Sequence, residues 1–445
     1  MIVASADAVL IVGEIVVDYT IPRPGAVCKL RLGGIVHAGR GLWAAGIAYA
    51  VAAICPQYLV DEARRYLVAH GCEEFIWIGD VVGAPNVIAI RDQTEVSDQG
   101  YDDLLREHKR VVLRDAAENM GAYRKVAVFP GKFDVCALLG RFAPDATFAF
   151  DVAYDIADLG ALQPFQGRIG AVILSTSSPL FAELGKDAVE GLISEVRALT
   201  PEVLLLKENR GGSRLFNLRN ESVEFIPASL GKTINSVGVG DVYSAVMLGF
   251  SAAGWIDAAW RGCQAATAYA HTTYPDDFRQ EVQRGLSVSV DELRGLGGTI
   301  LPWHARPRFP IYLAGPDFSY IQKPELDAAV ESLTYHNFTV RRPIQENGEL
   351  ERPATPGALV RTYHADYALL RECAAVFAVP LERDPGTLVE VGMAIALEKP
   401  VITFDPRSEN VNTMVVVGSS VYSADLDACL NGVFEALAKL TGGAV

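Results

Sequence analysis

The chain has 445 residues, a formal net charge of −15 and a hydrophobic fraction of 50%. This length exceeds one ordinary hydrophobic core and the composition is that of a folded protein, so two globular domains are expected. Basic residues are scattered among acidic ones without a cluster that could follow a phosphate backbone, which argues against nucleic acid as a partner.

The first twenty residues are apolar but carry Glu14 and Asp18 and have no basic start. They predict a buried first strand and no signal peptide. The apolar run 46–55 is too short to span a bilayer, which argues against a membrane partner. Seven scattered cysteines without a C-x-x-C pair indicate reduced thiols. A cytoplasmic location is therefore expected.

Short β-branched runs alternate with amphipathic stretches through the first two thirds of the chain. Strands are predicted at 9–12, 75–79, 126–129, 147–150, 171–175 and 203–206, and helices at 38–54, 131–140, 180–199 and 239–253. This alternation is typical of a mostly parallel sheet covered by helices on both faces, which is a doubly wound α/β fold.

A glycine-rich motif opens the last of these helices. In INSVGVGD, the residues Gly238, Val239 and Gly240 come directly before Asp241. Glycines let backbone N–H groups approach an anion, and the start of a helix adds its dipole. An aspartate beside such an anion hole can take a proton from an attacking hydroxyl, as phosphoryl transfer needs. The alternative is a glycine turn followed by an aspartate N-cap.

Residues 9–290 resemble the ribokinase, or PfkB, family of carbohydrate kinases. The resemblance is carried by VLIVGEIVVD at 9–18, the pair Gly33-Gly34, LLLKENRGGSRLF at 204–216 and INSVGVGD. It implies a ribokinase-like α/β domain over 1–298 that uses ATP and Mg²⁺. It also implies the roles of single residues: substrate contacts for Asp18, Gly33 and Gly34, the base for Asp241, and the anion hole for 238–240.

Three departures from that family's pattern leave the activity open. Asn235 stands where the signature has its first aspartate, and the asparagine after the glycine pair is missing. Lys207-Glu208-Asn209 replaces the usual Thr-Leu-Gly near the nucleotide. The domain is therefore either an active kinase or a degenerate one that binds a ligand or shapes an oligomer.

The segment 295–310 combines Gly and Pro with few periodic apolar positions, and a linker is predicted at 299–309. A second, smaller Rossmann-like α/β domain is predicted over 310–445. Its strands are expected at 311–315, 338–341, 375–379 and 400–404, and its helices at 324–336, 358–373, 387–398 and 425–441.

The segment DPGTLVEVG in this second domain brings two carboxylates together at a strand-to-helix junction. Asp384 lies in the loop, and Glu390 is expected in the first turn of the following helix, where the positive helix end keeps it ionised. Such a loop emerges at the crevice beyond the carboxyl ends of the strands. Two carboxylates with divided roles are what glycosyl transfer through an oxocarbenium-like state needs. The alternative is that both residues are helix caps or dipole partners.

The second domain resembles the nucleoside 2-deoxyribosyltransferase family. The resemblance rests on four segments in order: IYLAGPDF with Tyr312 and Gly315, TYHADYALLRE with Tyr363 and Asp366, D-x-G-x-x-x-E with Asp384 and Glu390, and Asn412-Thr413-Met414. It implies a flavodoxin-like fold without a cofactor. It also implies a homo-oligomer, because part of the family's site comes from a neighbouring subunit.

By this resemblance, Glu390 attacks the anomeric carbon of the sugar and Tyr312 orients that nucleophile. Asp384 and Asp366 hold the base or sugar and handle the proton on the leaving base. Asn412 binds the sugar hydroxyls, and Gly315 and Tyr363 contact the substrate. The long loop 342–357 departs from the family's pattern, so substrate identity stays open, and relatives of this fold also hydrolyse nucleoside monophosphates.

Three hypotheses follow. The first is a bifunctional enzyme that cleaves or exchanges an N-glycosidic bond and phosphorylates a nucleoside or sugar. The second is an N-glycosidase with a degenerate, ligand-binding kinase-like domain, and the third is a scaffold without activity. The histidines show no metal-binding spacing, so no resident metal is predicted.

Overall fold

The structure, a computed structural model, describes residues 7–22, 28–115, 120–153, 155–156, 158–350 and 353–441. The chain forms two compact units. Unit 1 comprises the chain up to 94 together with 99–229 and 233–298, and unit 2 comprises 95–98, 230–232 and the chain from 299 onward. The predicted first strand is present, and the first six residues of the chain lie outside the described residues.

Unit 1 is built on one large sheet. Its described strands are β1 (Val9–Thr20), β2 (Lys29–Gly34), β3 (Tyr49–Ile54), β4 (Cys72–Val82), β5 (Val87–Ile90), β6 (Asp102–Asp103), β7 (Arg110–Leu113), β8 (Lys125–Val128), β9 (Thr147–Asp151), β10 (Ile169–Ser175), β11 (Val203–Lys207), β12 (Ser213–Asn217) and β13 (Val223–Ile226). The main path runs β13-β12-β11-β10-β9-β8-β1-β3-β4-β7. From β11 to β4 all neighbours are parallel, and antiparallel strands close both ends.

Three strands leave this path. The second half of β1 pairs with β2 and β5, and β5 pairs with β6. This small layer lies beside β1, so the long first strand belongs to both layers. Asp18 therefore lies where the two meet, directly opposite Arg31 of β2.

The helices of unit 1 are α1 (Ile35–Ala45), α2 (Val60–Ala69), α3 (Pro179–Leu184), α4 (Val189–Ala198), α5 (Val239–Gly249), α6 (Trp255–Ala270), α7 (Pro275–Leu286) and α8 (Val290–Leu296). Parallel strands flanked by helices are the predicted doubly wound arrangement. Among the helices that the structure describes, none is long and apolar enough to cross a bilayer.

The four predicted helices of unit 1 each need a correction. The predicted helix 38–54 ends at Ala45, where Gly46 takes a left-handed φ of 72° as C-cap, and Tyr49–Ile54 is a buried strand. A continuous apolar run fits a central parallel strand as well as a buried helix, so periodicity alone misassigned it. The predicted helix 180–199 breaks after Leu184 into α3 and α4.

The remaining two corrections are smaller. The predicted helix 131–140 is a short 3₁₀ segment, Cys136–Arg141, and the predicted helix 239–253 ends at Gly249 before a 3₁₀ turn. Gly131 opens the first of these stretches and Gly249 ends the helix in the second, and glycine costs a helix about 1 kcal/mol relative to alanine.

Unit 2 contains a five-stranded, fully parallel sheet in the described residues. Its strands are β14 (Ile311–Ala314), β15 (Val340–Arg341), β16 (Ala375–Ala378), β17 (Val401–Phe404) and β18 (Val421–Ser423), and its helices are α9 (Pro324–Tyr335), α10 (Pro343–Asn347), α11 (Pro356–Glu372), α12 (Pro385–Ala396), α13 (Thr413–Val416) and α14 (Leu426–Leu440). The strand order β15-β14-β16-β17-β18 is that of flavodoxin-like folds, as predicted. In this order the ligand crevice lies between β14 and β16.

Alternation along the strands divides the core of unit 2 into two layers. Ile311 and Leu313 pack with α9 and α14 on one face, whereas Tyr312 and Ala314 pack with α11 and α12 on the other. Successive side chains of a strand point to opposite faces. This parity aims Tyr312 at α12, which carries Glu390.

The predicted linker 299–309 is wrong, because this segment packs into unit 2. Leu301 belongs to its core, and the fully buried Arg306 donates to the carbonyls of Leu301 and His336 at 3.1 and 3.2 Å. The predicted loop 342–357 likewise contains α10, and 351–352 lie outside the described residues. Between the two units, residues 294–298, which are the last residues of α8 and the two glycines after it, are exposed without interruption.

We therefore expect limited proteolysis with proteinase K to cut first within 294–298, because these residues bury little. Mass spectrometry of the early fragments should find a C-terminal piece that begins close to 299. A first cut inside α7 would contradict this boundary.

Candidate active sites

A cavity of about 490 Å³ opens in unit 2 at the carboxyl ends of β14 and β16. Of the predicted site residues, Gly315, Asp366, Asp384 and Glu390 line it. The other lining residues are Leu313, Asp317, Phe318, Tyr320, Pro343, Ile344, Gly348, Glu349, Leu350, Ala354, Leu359, Thr362, Gly386 and Thr387. The lining thus carries five carboxylates and no basic side chain.

Glu390 is held by the tyrosine beneath the cavity. The buried Tyr312 hydroxyl donates to Glu390 Oε1 at 2.6 Å. The pKa of Glu390 is raised to about 8, chiefly by burial, with smaller contributions from the charges of Asp366 and Asp384, while the hydrogen bond from Tyr312 opposes the rise. Burial and the charge of Glu390 also raise the pKa of Tyr312, so the tyrosine stays a donor.

Two predictions about Glu390 are wrong. It lies in the second turn of α12, because the helix begins at Pro385 and its first turn has no acidic residue. The dipole of a helix end acts within the first turn. Desolvation therefore dominates, and Glu390 is not kept ionised by the helix.

Asp384 has a structural role in addition to its place in the cavity. It is the N-cap of α12, and its Oδ2 accepts from the backbone N and the Oγ1 of Thr387, both at 2.8 Å. The capping alternative thus holds for Asp384, which also lines the cavity.

Asp366 faces the cavity from α11. Its Oδ1 accepts from Asn347 Nδ2 at 2.7 Å. Burial raises the pKa of Asp366 and this hydrogen bond opposes the rise. A carboxyl with a raised pKa is suited to carry a proton near neutral pH.

Asp317 is a cavity residue that the sequence analysis missed. Both of its oxygens accept from Arg342 at 2.7 Å, and the Lys323 ammonium lies 3.4 Å from Oδ1. Asp317 follows Gly315 by two residues in the quoted IYLAGPDF, but only the fold brings Arg342 to it from the end of β15. These two cations lie behind the lining, so the cavity wall still has an acidic balance.

Tyr363 and Asn412 are not brought to this cavity. Tyr363 lies on α11 with half of its surface exposed and stacks on Tyr367 at 6.1 Å. Asn412 is exposed and caps α13 through a 2.9 Å bond from Met414 N. Their contacts with a substrate remain predictions, because neither residue is among those that line the cavity.

The glycine motif of unit 1 forms the start of α5. Gly238 is the N-cap with a φ of 84°, and a Cβ there would lie 2.2 Å from His37 Cγ. Only glycine fits this left-handed backbone against the histidine ring. Asp241 is the third residue of the helix and so is not the N-cap. The pKa of Asp241 is raised to about 8, chiefly by burial, with contributions from the charges of Asp151 and Asp18, while Lys207 opposes the rise.

Lys207, the first residue of the departure from the kinase pattern, reaches this helix start. Its ammonium donates to Asp151 Oδ2 at 2.8 Å, to Gly240 O at 3.3 Å and to Ser244 Oγ at 3.3 Å. Ser244 Oγ also donates to Asp151 Oδ2 at 2.6 Å. Asp151, a residue that follows a predicted strand, thus belongs to the site, and its buried Oδ1 has no partner among the described residues.

Asp18 lies against the glycine pair, as the resemblance implies. A Cβ on Gly33 would lie 2.1 Å from Asp18 Oδ1, and Gly34 follows with a φ of 61°. Asp18 Oδ2, however, already accepts from His37 Nε2 at 2.9 Å and from Arg31 Nε at 3.3 Å. The sequence analysis missed His37, although it lies in GGIVHAGRG, the segment from which the kinase asparagine is missing.

The residues at α5 fit the anion of ATP. The backbone after Gly238 and the Lys207 ammonium offer positive charge, and Asp151 Oδ1 is a free acceptor for a magnesium ion that arrives with the nucleotide. Across the described ranges, no three His, Cys, Asp or Glu side chains are grouped to hold a metal by themselves.

The C-terminal unit is therefore a flavodoxin-like α/β domain with a tyrosine-held glutamate in its switch-point cavity. A sequence model described as nucleoside 2-deoxyribosyltransferase matches residues 311–431, which confirms the predicted resemblance. This match supports an enzyme of nucleoside metabolism.

Solved structures similar to the N-terminal part are kinases of the ribokinase family. Ribokinase from Giardia lamblia has 15% identity and a TM-score of 0.46 and covers 63% of this chain and 99% of its own. Ribokinase from Arabidopsis thaliana, complexed with ribose and ATP, has 13% identity and a TM-score of 0.45 and covers 64% and 100%. Adenosine kinase from Sinorhizobium meliloti has 12% identity and a TM-score of 0.46 and covers 63% and 100%. Among curated proteins, no sequence matches the chain.

Proposed function

We propose that unit 2 cleaves or exchanges the N-glycosidic bond of a nucleoside, with Glu390 as the nucleophile. The observation that carries this proposal is the 2.6 Å hydrogen bond from Tyr312 to Glu390 in the cavity. The Glu390 carboxylate forms a bond to the anomeric carbon while the bond to the base breaks and its electron pair leaves with the base. Asp366 donates a proton to that base, and water or a second base then releases the sugar from Glu390.

The lining favours an uncharged nucleoside over a nucleoside monophosphate. Five carboxylates line the cavity, and the two cations nearby, Arg342 and Lys323, are already bound to Asp317. Even with Glu390 and Asp366 protonated, as their raised pKa values favour, the lining offers an added phosphate no cation of its own. The excess of acceptors suits a substrate that supplies hydroxyl and amino donors.

The raised pKa of Glu390 predicts the pH dependence of base release. Only the ionised carboxylate attacks carbon, so kcat/KM should rise with pH up to about 8. Tyr312→Phe removes the hydrogen bond that lowers this pKa, so the rise should move to higher pH and the rate at pH 7 should fall. Initial rates across pH 5–10 test this, and superimposable profiles for the two proteins would refute it.

For unit 1 we propose phosphoryl transfer from ATP to a hydroxyl, with Asp241 as the base. The hydroxyl oxygen bonds to the γ-phosphorus as the bond to the β-phosphate oxygen breaks, ADP leaves, and the hydroxyl proton passes to Asp241. The support is the placement of Asp241 at the start of α5 beside the glycine turn and Lys207.

The second candidate is a single-activity N-glycosidase in which unit 1 only binds a ligand. It is favoured by the contacts of Asp18, whose Oδ2 is occupied by His37 and Arg31 instead of being open to a substrate hydroxyl.

A panel of nucleosides, nucleotides and pentoses, incubated with and without ATP and magnesium, separates the candidates. Release of free base without ATP supports the proposed reaction of unit 2. ADP formation that depends on a sugar or nucleoside supports the kinase. Base release together with no ADP from any acceptor supports the second candidate.

A further inference from the structure

Asp18, the predicted substrate contact of unit 1, is bonded to an arginine of the small layer. Arg31 donates from Nε to Asp18 at 3.3 Å and from Nη2 to the carbonyl of Val237 at 3.2 Å. Val237 precedes the N-cap of α5, so Arg31 connects the predicted substrate aspartate to the phosphoryl-transfer loop. About a fifth of the Arg31 side chain, 22%, is exposed.

A second arginine lies behind this contact. Arg40 Nη1 donates to Tyr269 Oη at 2.9 Å, and Tyr269 Oη lies 2.7 Å from His37 Nδ1. Because Asp18 only accepts, His37 donates from Nε2, and its Nδ1 accepts from Tyr269. Burial lowers the pKa of His37, which agrees with this neutral form. A directed chain of hydrogen bonds thus runs from Arg40 to Asp18.

The charge of Arg40 is not balanced within this chain of contacts. Arg40 is 7% exposed, its Nε has no hydrogen-bond partner, and in the part of the chain that the structure describes it forms no ion pair. Its guanidinium also lies over the Tyr269 ring, 5.2 Å from the centroid. A buried cation without a counter-ion is unfavourable, and an anionic ligand would offset it.

The local balance is therefore positive. Asp18 offsets one arginine, His37 is neutral, and Asp241, with a pKa of about 8, is largely protonated at neutral pH. One arginine remains in excess within this chain of contacts, which reaches the phosphoryl-transfer loop where His37 lies against Gly238.

We propose that the acceptor site of unit 1 takes a pentose that already carries a phosphomonoester, and that Arg31 binds this phosphate. This inference deepens the proposed kinase function. Transfer of a second phosphoryl group to the phosphorylated pentose rests on that function, whereas binding of the pentose does not. The shared chemistry is a phosphorylated pentose, either free or within a nucleoside monophosphate. A neutral sugar released by unit 2 is then not the preferred acceptor, so the two domains act on different members of the nucleoside pool.

Binding measured without ATP tests this selectivity independently of catalysis. Isothermal titration of the full chain should show ribose 5-phosphate binding at least about tenfold more tightly than ribose, since a charge-assisted hydrogen bond supplies such a difference. Adenosine 5′-monophosphate against adenosine separates the free sugar phosphate from the nucleotide, and inorganic phosphate measures binding of the anion alone.

Arg31→Gln should remove most of the preference for the phosphorylated ligand, and Arg31→Lys should restore part of it. Arg284→Gln, at an exposed arginine of α7, is the matched control and should change nothing. Ribose that binds as tightly as ribose 5-phosphate, or a preference that survives Arg31→Gln, overturns the inference. Tight, Arg31-dependent binding without any ATP turnover would leave this site standing and remove the kinase proposal.

Discussion

Glu390→Gln is expected to lower base release by roughly 10³-fold or more, because it removes the atom that bonds to the anomeric carbon. Glutamine keeps the size of the side chain and can still accept from Tyr312, so the cavity should keep its shape. Steady-state release of free base from the preferred nucleoside measures the effect. Glu372→Gln, at an exposed acid of α11 in the same unit, is the matched control.

The stability of this variant gives a second, independent result. The pKa of Glu390 is raised from 4.5 to about 8, so between these values the native state holds a proton that the unfolded state releases. The wild type therefore loses stability as the pH rises through this window. Glu390→Gln removes that loss, and its melting temperature relative to wild type should be higher at pH 8.5 than at pH 4.5.

Two outcomes would contradict the assignment. A folded Glu390→Gln protein that keeps more than about a hundredth of the wild-type rate does not lack its nucleophile. A melting-temperature difference that is the same at both pH values would mean that Glu390 is not desolvated, and the expected pH profile would lose its basis.

The unit 2 fold could be predicted because its strands are short, apolar and separated by clear helices, and four motifs appear in order. The cavity follows from strand order, since Gly315 directly follows β14, Asp384 lies in the loop after β16, and these two strands are adjacent. The protonation of Glu390 could not be predicted in this way. It depends on how deeply α12 and Tyr312 bury the carboxyl, and sequence spacing carries no information on solvent access.

In unit 1, the sequence identified the loop but not its partners. Gly238 and Asp241 are adjacent in the chain, whereas Asp151, Lys207 and Ser244 come from β9, β11 and α5 and meet only in the folded sheet. The departure at Lys207 looked like a loss of function from the pattern alone. In the structure its ammonium occupies the start of α5, a contact that a comparison of motifs does not contain.

The missing kinase asparagine illustrates the same limit at Asp18. Its absence from GGIVHAGRG was visible, but the contact of His37 with Asp18 was not. His37 reaches both Asp18 and Gly238 because α1 packs against α5. Long-range packing of this kind decides which donors an aspartate receives, and periodicity describes only each helix by itself.

Asp241→Asn should lower ATP turnover by about 10²–10⁴-fold, because a hydroxyl is a poor nucleophile at neutral pH without a base beside it. The melting temperature should not fall, since Asp241 is the third residue of α5 and does not cap it. As with Glu390, replacing a buried carboxyl with a pKa of about 8 should raise the melting temperature relative to wild type at alkaline pH. Asp277→Asn makes the same chemical change at an exposed aspartate in the first turn of α7 and should leave ATP turnover intact.

The pH profile of the wild type adds a sharper test of Asp241. Its pKa of about 8 means that the ionised base becomes more abundant from pH 6 to pH 8, so ATP turnover should rise over this range. Base release by the Asp241→Asn protein should equal that of wild type, because Glu390 lies in the other unit. An Asp241→Asn protein that keeps its ATP turnover would refute the role of Asp241 as base. A wild type that turns over no ATP with any acceptor would instead make unit 1 a binding domain, in which Lys207 contacts the start of α5 and Arg31 binds the ligand.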